Sequence, residues 1–350
     1  MEYVTSRLIE YKTRLRNLSQ LLNQIQIVLE EMRTELQIEF VSGKGTRKSE
    51  FQRLYEEFTD YFERMQKYET QLAICGNRNS YSKTDHDATF MHGKEDYYMK
   101  TGIFKPYYNL QIGLSSEYIW VLDVNQRSAD MKTFIPLMDI YHDFYQCYPQ
   151  KPVADAGYGS YENYMHCLSN GMKLFMKYPM YANEQEKASR QDPFRKENYR
   201  KDQNGNWLCP VGHIFEYERD KISKHGSYIK IDQFYKVKQC KDCPLREKCH
   251  SKTKKNEEEK TMQMNPIMNE MHETVRFNLN SEEGIQLRMN RSIQAEGAFG
   301  VIKEDWQYRR VHRRGLKKVK MELFLIAIGF NLMKYHNRKY RKDSVIPSYH

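Results

Sequence analysis

The sequence of 350 residues predicts an α/β protein with a mixed sheet, an N-terminal antiparallel helical hairpin and a cysteine-rich insertion. Three observations lead to this prediction. Apolar residues recur at helical spacing through residues 1–76. Short β-prone runs alternate with helical stretches between residues 107 and 177. Four cysteines cluster in a polar, basic stretch that interrupts this alternation.

Composition excludes several classes of protein. The longest apolar stretch, 321–333, is about half of the roughly 20 residues that a membrane span requires. The opening residues MEYVTSRLIEYKTR lack the apolar block of a secretory signal, which predicts a cytoplasmic protein. The 56 Lys and Arg residues outnumber the 46 Asp and Glu residues, giving a net charge of +10 that suits a polyanionic partner. Membrane proteins, secreted disulfide scaffolds and collagen-like chains are excluded.

Residues 1–76 form the first predicted domain. Two apolar runs with steps of three and four residues flank the Gly-rich, charged stretch VSGKGTRKSE, which reads as a turn. An antiparallel hairpin whose two stripes bury each other explains both runs; a parallel dimeric coiled coil would leave the second stripe without a partner. The first run is Leu8, Tyr11, Leu15, Leu18, Leu22, Ile25, Leu29, Met32 and Leu36, and the second is Phe51, Leu54, Phe58, Tyr61, Met65, Tyr68 and Leu72.

Residues 77–180 form the first part of the predicted core. β-prone runs and helical patterns follow one another in the order β-β-α-β-α-β, which mixes antiparallel and parallel pairing. In chain order these are strands at 107–114 and 117–124, a helix at 131–145, a strand at 152–154, a helix at 161–168 and a strand at 173–177.

The rest of the chain divides into three predicted parts. Residues 181–260 are polar and basic, carry the cysteine cluster and read as an insertion. Residues 261–342 return to helix, and their apolar run LFLIAIGFNLM fits a helix packed on one face of the sheet. Residues 343–350 are a tail.

The cysteine cluster has the spacing C-x30-C-x2-C-x5-C and consists of Cys209, Cys240, Cys243 and Cys249. Two thiolates on a tight C-x2-C turn reach one tetrahedral ion without backbone strain, which favours zinc. A full set of protein ligands makes such a zinc structural rather than catalytic. His213 and His250 are alternative ligands, and four unrelated cysteines are the simpler interpretation.

Asp155 is a candidate catalytic residue. It stands at the C-terminal end of a short apolar strand and is followed by Gly157 and Gly159. Open α/β sheets bind ligands at such strand ends, and glycine lets the backbone turn sharply there. Many strand-end aspartates only cap the next helix, which is the competing interpretation.

A third group of candidates lies near the C-terminus. Glu296 and Lys303 are seven residues apart, so on a helix they share a face. A dense basic stretch follows Lys303, opposed only by Glu304 and Asp305, and it favours a nucleic-acid backbone over a solvated helix face. The predicted DNA-binding residues are Lys303, Arg309, Arg310, Arg313, Arg314, Lys317 and Lys318.

Five blocks resemble, in order, a DDE transposase of bacterial insertion sequences. They are SYSKTDHDATFM, PYYNLQIG, VADAGYGSYENY, CPLREKC and RSIQAEGAFGVIKEDWQYRRVHRRGLKKVK, and they extend over residues 77–340. The resemblance implies a ribonuclease H-like core with a cysteine-bearing insertion. It also implies a Mg²⁺- or Mn²⁺-dependent reaction that cuts and rejoins transposon-end DNA, carried out by a homo-oligomer.

The resemblance places two acids. Asp155 matches the second acid of the family and Glu296 the last, and Lys303 matches the lysine seven residues after it. The family's Tyr and Arg ahead of the glutamate are out of register, because Met289 and Ser292 occupy those spacings. Arg288 and Arg291 are each offset by one residue.

The first acid of the family has no evident counterpart. Relatives place it in a DGTK-like block on an opening strand ahead of the helical arm, and this chain starts at the arm. The resemblance therefore predicts a truncated or split transposase. Asp85 and Asp87 are the nearest later acids, and neither follows a strand-like run, whereas Asp123 lies on what should be the third strand of the core. Asp85 is the candidate for the first acid. The alternatives are a catalytically inactive, zinc-stabilised remnant that binds DNA, and a structural zinc protein unrelated to DNA.

Overall fold

A computed structural model describes residues 2–45, 47–93, 101–249 and 259–340. The predicted tail 343–350, the alternative ligand His250 and the side chains of Leu8, Tyr11 and Leu15 lie outside the described residues. The described residues form two compact units: those within 1–90 together with 104–106, and those within 91–103 together with 107–350.

The first unit contains the predicted helical hairpin, α1 (Glu2–Glu35) and α2 (Glu50–Cys75). The helices run antiparallel, since the Gln26 Nε2 amide donates to Thr59 Oγ1 at 3.1 Å while Tyr55 contacts Glu30. Leu22, Leu29 and Met65 are buried, whereas much of the two predicted stripes stays exposed, because two helices cover only the residues on their seam. Strands β1 (Thr89–His92) and β2 (Phe104–Tyr107) form a two-stranded sheet.

The second unit begins with the predicted β-β-α-β-α-β order. It consists of β3 (Asn109–Ser115), β4 (Tyr118–Asn125), α3 (Phe134–Tyr145), β5 (Val153–Ala154), α4 (Tyr161–Ser169) and β6 (Phe175–Met176). Strands β3 and β4 pair antiparallel with Gln111 opposite Asp123, and β5 pairs with β6 in parallel. Within the described residues no ladder joins the two pairs, so the single mixed sheet that we predicted is not formed there. Strands of only two residues, as in β5 and β6, provide too few backbone groups to extend a sheet.

The next segment folds as a small layer of its own. It contains α5 (Tyr181–Gln185), α6 (Lys187–Gln191), β7 (Arg200–Lys201), β8 (Trp207–Leu208), β9 (Glu216–His225), β10 (Tyr228–Val237), α7 (Arg246–Cys249) and β11 (Lys260–Met264). Strand β10 lies between β9 and β11 in an antiparallel sheet. Its apolar cluster includes Phe215, Val237 and Cys240. The Tyr161 hydroxyl on α4 donates to the Ile229 carbonyl at 2.8 Å, which attaches this layer to the core.

Three long helices complete the second unit: α8 (Pro266–Asn280), α9 (Glu282–Gly300) and α10 (Leu316–Tyr340). Asn265 caps α8 by accepting from the Met268 N–H, and the buried face of α8 packs into the cluster that holds α3, α4 and β6. Helix α10 buries Val319, Leu323, Ala327 and Phe330 in a second cluster with residues of β4.

Ser281 alone connects α8 to α9. Its Oγ accepts from the Gly284 N–H at 3.0 Å, which caps α9. A Cβ atom at position 284 would overlap the Asn278 carbonyl oxygen, so this joint requires glycine. Among the described helices, none combines the length and apolarity that crossing a bilayer would take.

Candidate active site

Asp155 directly follows β5 and opens a short 3-10 turn, Ala156–Tyr158. A Cβ atom at Gly159 would overlap the Lys177 carbonyl oxygen, so glycine lets this turn lie directly against the backbone after β6. The Asp155 side chain makes no capping hydrogen bond, and α4 is capped instead by Ser160, whose Oγ accepts from the Asn163 N–H at 3.2 Å. The interpretation of Asp155 as a simple helix cap therefore has no support in its contacts.

Helix α9 carries Glu296 and also contacts Asp155. The Arg291 guanidinium forms an ion pair with the Asp155 carboxylate across 136 positions of sequence. One residue further along, the Ser292 hydroxyl donates to Glu296 Oε1 at 2.9 Å. The two predicted acids thus both contact side chains from consecutive positions of one helix, and both carboxylates are open to solvent.

A polar network on the other side of the turn contains an acid that sequence reasoning missed. Asp130 Oδ1 accepts from Asn109 Nδ2 at 2.9 Å and from Gln111 Nε2 at 3.2 Å. The Tyr158 hydroxyl donates to Gln111 Oε1, and burial together with the Asp130 carboxylate raises the pKa of that phenol. Asp130 lies in the loop after β4, five residues beyond Asn125, where it opens a 3-10 turn, so no strand-end pattern in the sequence singled it out. We call Asp130, Asp155, Glu296 and their partners the carboxylate region.

The remaining aspartate candidates have other surroundings. Asp123 on β4 is buried and its Oδ1 accepts from the Lys320 ammonium at 2.9 Å, so its charge is balanced by α10. Asp85 lies in the first unit, in the turn before β1, and its Oδ1 accepts from the Asp87 N–H at 3.2 Å. Its role as a substitute first acid stays a prediction.

The carboxylate region has the right donor chemistry for Mg²⁺, which prefers carboxylate oxygens, but not an assembled site. Throughout the part of the chain that the structure describes, no three His, Cys, Asp or Glu side chains form a group that could hold a metal ion. Asp155 is held by Arg291 and Glu296 by Ser292. Each acid therefore contacts a partner of its own.

The four cysteines border one small cavity. Cys209, Cys240, Cys243 and Cys249 line one cavity of about 20 Å³, the size of a single small ion or water molecule. The Lys260 ammonium donates to Cys249 Sγ at 2.7 Å, and the His213 N–H donates to Cys209 Sγ at 3.3 Å. Burial, reinforced by the neighbouring cysteines, raises the pKa of the Cys240 thiol. The thiols surround the cavity without the close convergence of a metal site, so zinc has no direct geometric support among the described residues.

All seven predicted DNA-binding residues are exposed. Arg309 pairs with Glu304 at 2.6 Å, and among the described residues the other six have no ion pair. Lys303 lies in a π-helical turn, Val301–Asp305. Because a π-helical turn has more residues per turn than an α-helix, Lys303 does not lie on the same helix face as Glu296, contrary to our prediction from α-helical spacing. The Lys303 Nζ atom is 5.2 Å from the centre of the Phe299 ring.

Residues 306–315, which we call the basic loop, carry four of the seven predicted DNA-binding residues. The carboxylate of one acidic residue holds the backbone of this loop. Glu322 on α10 accepts from the His312 N–H at 2.9 Å and the Arg313 N–H at 3.0 Å. Burial alone would raise the pKa of Glu322, but these hydrogen bonds prevail and lower it. The backbone of this loop is therefore held in place while its arginine side chains extend into solvent.

Comparison with known proteins finds a family for one segment of the chain. Residues 208–336 match the model of a family described as a transposase DDE domain. This match supports a DDE transposase family for that part of the chain. No curated protein and no solved structure matches the chain. The match confirms the predicted resemblance to a DDE transposase over rather more than a third of the chain, while the bacterial insertion-sequence origin and the truncation stay predictions.

The transposase match includes Glu296, Lys303, the basic loop and the four cysteines, whereas Asp130 and Asp155 lie before it. Transposases act on DNA, so DNA is the partner that the family implies, and DDE transposases in general use a divalent metal ion. The Arg291–Asp155 ion pair is one of several contacts between the matched segment and the unmatched one, and Arg291 is the residue that stands one position away from the family's arginine spacing.

Proposed function

We propose that this DDE-family chain is a transposase with a ribonuclease H-like core that cleaves and joins DNA strands at the ends of a bacterial insertion sequence. The observation that carries the proposal is the Arg291–Asp155 ion pair, because it links the strand-end acid to the helix that bears Glu296. The family match of residues 208–336 supplies the reaction class. The reaction takes place on DNA in the cytoplasm.

In this proposal Asp155 and Glu296 are the carboxylate ligands for Mg²⁺ or Mn²⁺. Bound Mg²⁺ supplies positive charge that stabilises the attacking and leaving oxygens of a phosphodiester. Arg291 holds Asp155 in position before the metal ion is bound. Asp130 is our proposed third carboxylate, since it lies beside the turn that follows Asp155 and its Oδ2 is 3.7 Å from the place of a Cβ atom at Gly157.

The basic loop is the proposed contact with the DNA backbone. Its exposed Lys and Arg side chains are long and largely unpaired within the described residues, and they follow directly after the helix that carries Glu296. Phosphate contacts of this kind position the duplex without reading its sequence. Binding should weaken steeply as salt is raised, because counterions are released when phosphates are neutralised.

We also propose that the four cysteines hold one structural zinc ion. Their common cavity and the C-x2-C spacing of Cys240 and Cys243 support this assignment. The Lys260 ammonium balances part of the charge of the thiolates. Elemental analysis of protein purified under reducing conditions should find about one zinc per chain, and finding none would refute the assignment.

A nicking assay on DNA with Mg²⁺ or Mn²⁺ tests the catalytic proposal. We expect Asp155→Asn and Glu296→Gln each to reduce cleavage at least about 100-fold, because each removes charge that the metal ion requires. The matched control is Glu283→Gln, which removes an exposed carboxylate from the same helix, where it pairs with Lys151. Cleavage that survives both active-site substitutions, or that falls equally in the control, contradicts the assignment.

A catalytically inactive, zinc-stabilised remnant that binds DNA is the second candidate. The observation that favours it is that no three acidic side chains converge within the described residues. Such a protein would bind DNA in a salt-dependent way and show no metal-dependent cleavage, even when the wild-type chain is assayed at high concentration. DNA binding without cleavage would therefore select this candidate.

A further inference from the structure

A buried glutamine joins the turn after Asp155 to Asp130. Gln111 on β3 is 3% exposed, and both ends of its side-chain amide make hydrogen bonds. Its Oε1 accepts from the Tyr158 hydroxyl, and its Nε2 donates to Asp130 Oδ1 at 3.2 Å and to Asn109 Oδ1 at 2.6 Å. Because an ionised carboxylate only accepts hydrogen bonds, the amide has one orientation that satisfies both Asp130 and Tyr158.

The Asp130 carboxylate is held on one oxygen and open on the other. Asn109, two residues before Gln111 and on the same face of β3, donates from Nδ2 to Asp130 Oδ1 at 2.9 Å. The Thr133 hydroxyl and N–H donate to the Asp130 carbonyl oxygen at 2.7 and 2.9 Å, which fixes the backbone. Oδ2 accepts no hydrogen bond from the described residues, and it lies 3.7 Å from the place of a Cβ atom at Gly157.

We propose that Tyr158 and Gln111 are positioning residues that hold the open oxygen of Asp130 on the side of the turn that Asp155 begins. The inference rests on the proposed function, in which both acids are ligands for Mg²⁺ or Mn²⁺. Tyr158 belongs to that turn, and its N–H donates to the Asp155 carbonyl oxygen at 3.1 Å. One side-chain hydroxyl and one side-chain amide therefore connect the two acids. Carboxylates that bind metal ions are generally oriented by such outer hydrogen bonds.

The Tyr158 ring is itself held by the core. It packs against the apolar cluster of α3, α4 and α8, and its centre is 6.4 Å from that of the buried Phe134 ring, edge to face. Because packing already immobilises the ring, little conformational entropy is lost when its hydroxyl donates to Gln111. Removing the hydroxyl alone should therefore release the amide while the ring stays in place.

Mn²⁺ binding to the full chain, followed by the loss of the free-ion signal in electron paramagnetic resonance, tests the inference without DNA cleavage. Tyr158→Phe should raise the Mn²⁺ dissociation constant about tenfold, at the lower end of the effect of outer hydrogen-bonding partners. Gln111→Leu should raise it by at least the same factor, since Asn109 alone then holds Asp130 Oδ1. Asp130→Asn should also weaken binding, because it removes a charged ligand.

A double-mutant cycle separates positioning from a general loss of structure. If Tyr158 acts through Gln111, Tyr158→Phe should have no further effect on Mn²⁺ binding in a chain that already carries Gln111→Leu. A tyrosine with only a structural role would weaken binding by the same factor in both backgrounds. Tyr181→Phe is the matched control, because Tyr181 on α5 is buried and also donates to an amide oxygen, Asn280 Oδ1, at 3.0 Å. It should leave Mn²⁺ binding unchanged.

The outcomes distinguish this inference from the proposed function. If Asp155→Asn weakens Mn²⁺ binding but Tyr158→Phe or Asp130→Asn does not, the inference is overturned and the assignment of Asp155 stands. Equal losses in Tyr158→Phe and Tyr181→Phe overturn it too, as does an effect of Tyr158→Phe that persists beside Gln111→Leu. If the wild-type chain binds no Mn²⁺, or if neither Asp155→Asn nor Glu296→Gln weakens binding, the proposed ligands are wrong and the inference falls with them.

Discussion

The cysteine cavity and the carboxylate region are assembled in opposite ways. The four cysteines come from 41 consecutive residues, and they line one small cavity. The acids and their partners come from β3, the loop after β4, the turn after β5 and helix α9, so they depend on contacts between distant parts of the chain. A site built from local spacing is visible in a sequence, whereas a site built from tertiary contacts becomes visible only when the elements have been placed.

The two regions nevertheless use the same electrostatic arrangement. Lys260 contacts Cys249 in one, and Arg291 contacts Asp155 in the other. In each case a cation from a neighbouring element lies beside the group that we propose as a metal ligand. A basic side chain balances a potential ligand's negative charge while no ion is bound, and it must move or share that ligand when an ion arrives.

Removing a bound metal ion should destabilise the cysteine cavity but not the helices of the carboxylate region, and this is the largest effect that we expect. If the cysteines hold zinc, chelation under reducing conditions should cost the insertion several kcal/mol and unfold it, because binding energy is then folding energy. Hydrogen exchange should show this loss in β9–β11 and leave α8 and α9 protected. Cys240→Ser should reproduce the effect, whereas Cys147→Ser, which alters an exposed thiol, should not. Equal loss of protection in both regions would contradict the separation.

A substitution at Gly159 tests how tightly the carboxylate region is built. We expect Gly159→Ala to lower the free energy of unfolding by about 2–3 kcal/mol, because the added methyl group would overlap backbone atoms next to β6. Gly297→Ala is the control: it lies in α9 with nothing within 4 Å of an added Cβ, and it should stabilise the helix by about 0.5–1 kcal/mol. Urea unfolding measures both, and a neutral Gly159→Ala would show that this turn is looser than described.

Acid should weaken the core around His272, which stacks on Tyr178. Burial, together with Arg276 and Lys196, lowers the pKa of His272 from 6.5 to about 4. Between pH 6.5 and pH 4 the His272 imidazole therefore binds a proton in the unfolded chain but not in the folded chain. The free energy of unfolding falls as the pH drops through this range. At pH 5 the loss should be about 2 kcal/mol relative to pH 7.

The variant His272→Phe identifies this titration, since it keeps a ring stacked on Tyr178 and cannot bind a proton. Urea unfolding at pH 7 and pH 5 should show a smaller difference for the variant than for the wild type. An unchanged difference would assign the acid sensitivity to other groups.

The smallest expected effect on stability comes from the ion pair at Asp155. Arg291→Met should change the free energy of unfolding by less than about 1 kcal/mol, because the pair is partly exposed and screened. Lys151→Met is a matched control, since the Lys151–Glu283 pair has nearly the same exposure and also involves α9. Stability should respond equally in both variants, whereas DNA cleavage should change only in Arg291→Met; a change in both would remove the special role of Arg291.

Much of the secondary structure could be predicted, because it follows from the local spacing of apolar residues in the sequence. Alternating apolar residues placed β3 and β4 within two residues of their observed ends, and helical spacing identified α3 and α4. The sequence did not reveal that the strand pairs stay separate within the described residues, because pairing partners are not encoded in a strand's own pattern. Nor did it reveal the π-helical turn at Lys303, which depends on how the end of α9 packs.

The candidate site was predictable residue by residue but not as an arrangement. Asp155 was found from its strand end and Glu296 from the family resemblance, yet nothing in either neighbourhood indicated that Arg291, on the helix that carries Glu296, pairs with Asp155. Asp130 was missed because the polar residues around it, Asn109 and Gln111, lie about 20 positions earlier on β3. Its hydrogen-bond partners could be recognised only after β3 and the loop following β4 had been placed together.

Because only Ser281 separates α8 from α9, a small rotation at this residue produces a large displacement at the far end of α9. One residue separates two rigid helices, and Glu296 lies 15 residues beyond it, about 22 Å along the helix axis. A rotation of only about 5° at the joint would move the Glu296 carboxylate by about 2 Å, more than a metal ligand can tolerate. Substitutions in the buried face of α8 can therefore alter the chemistry at a distance, without touching any residue of the carboxylate region.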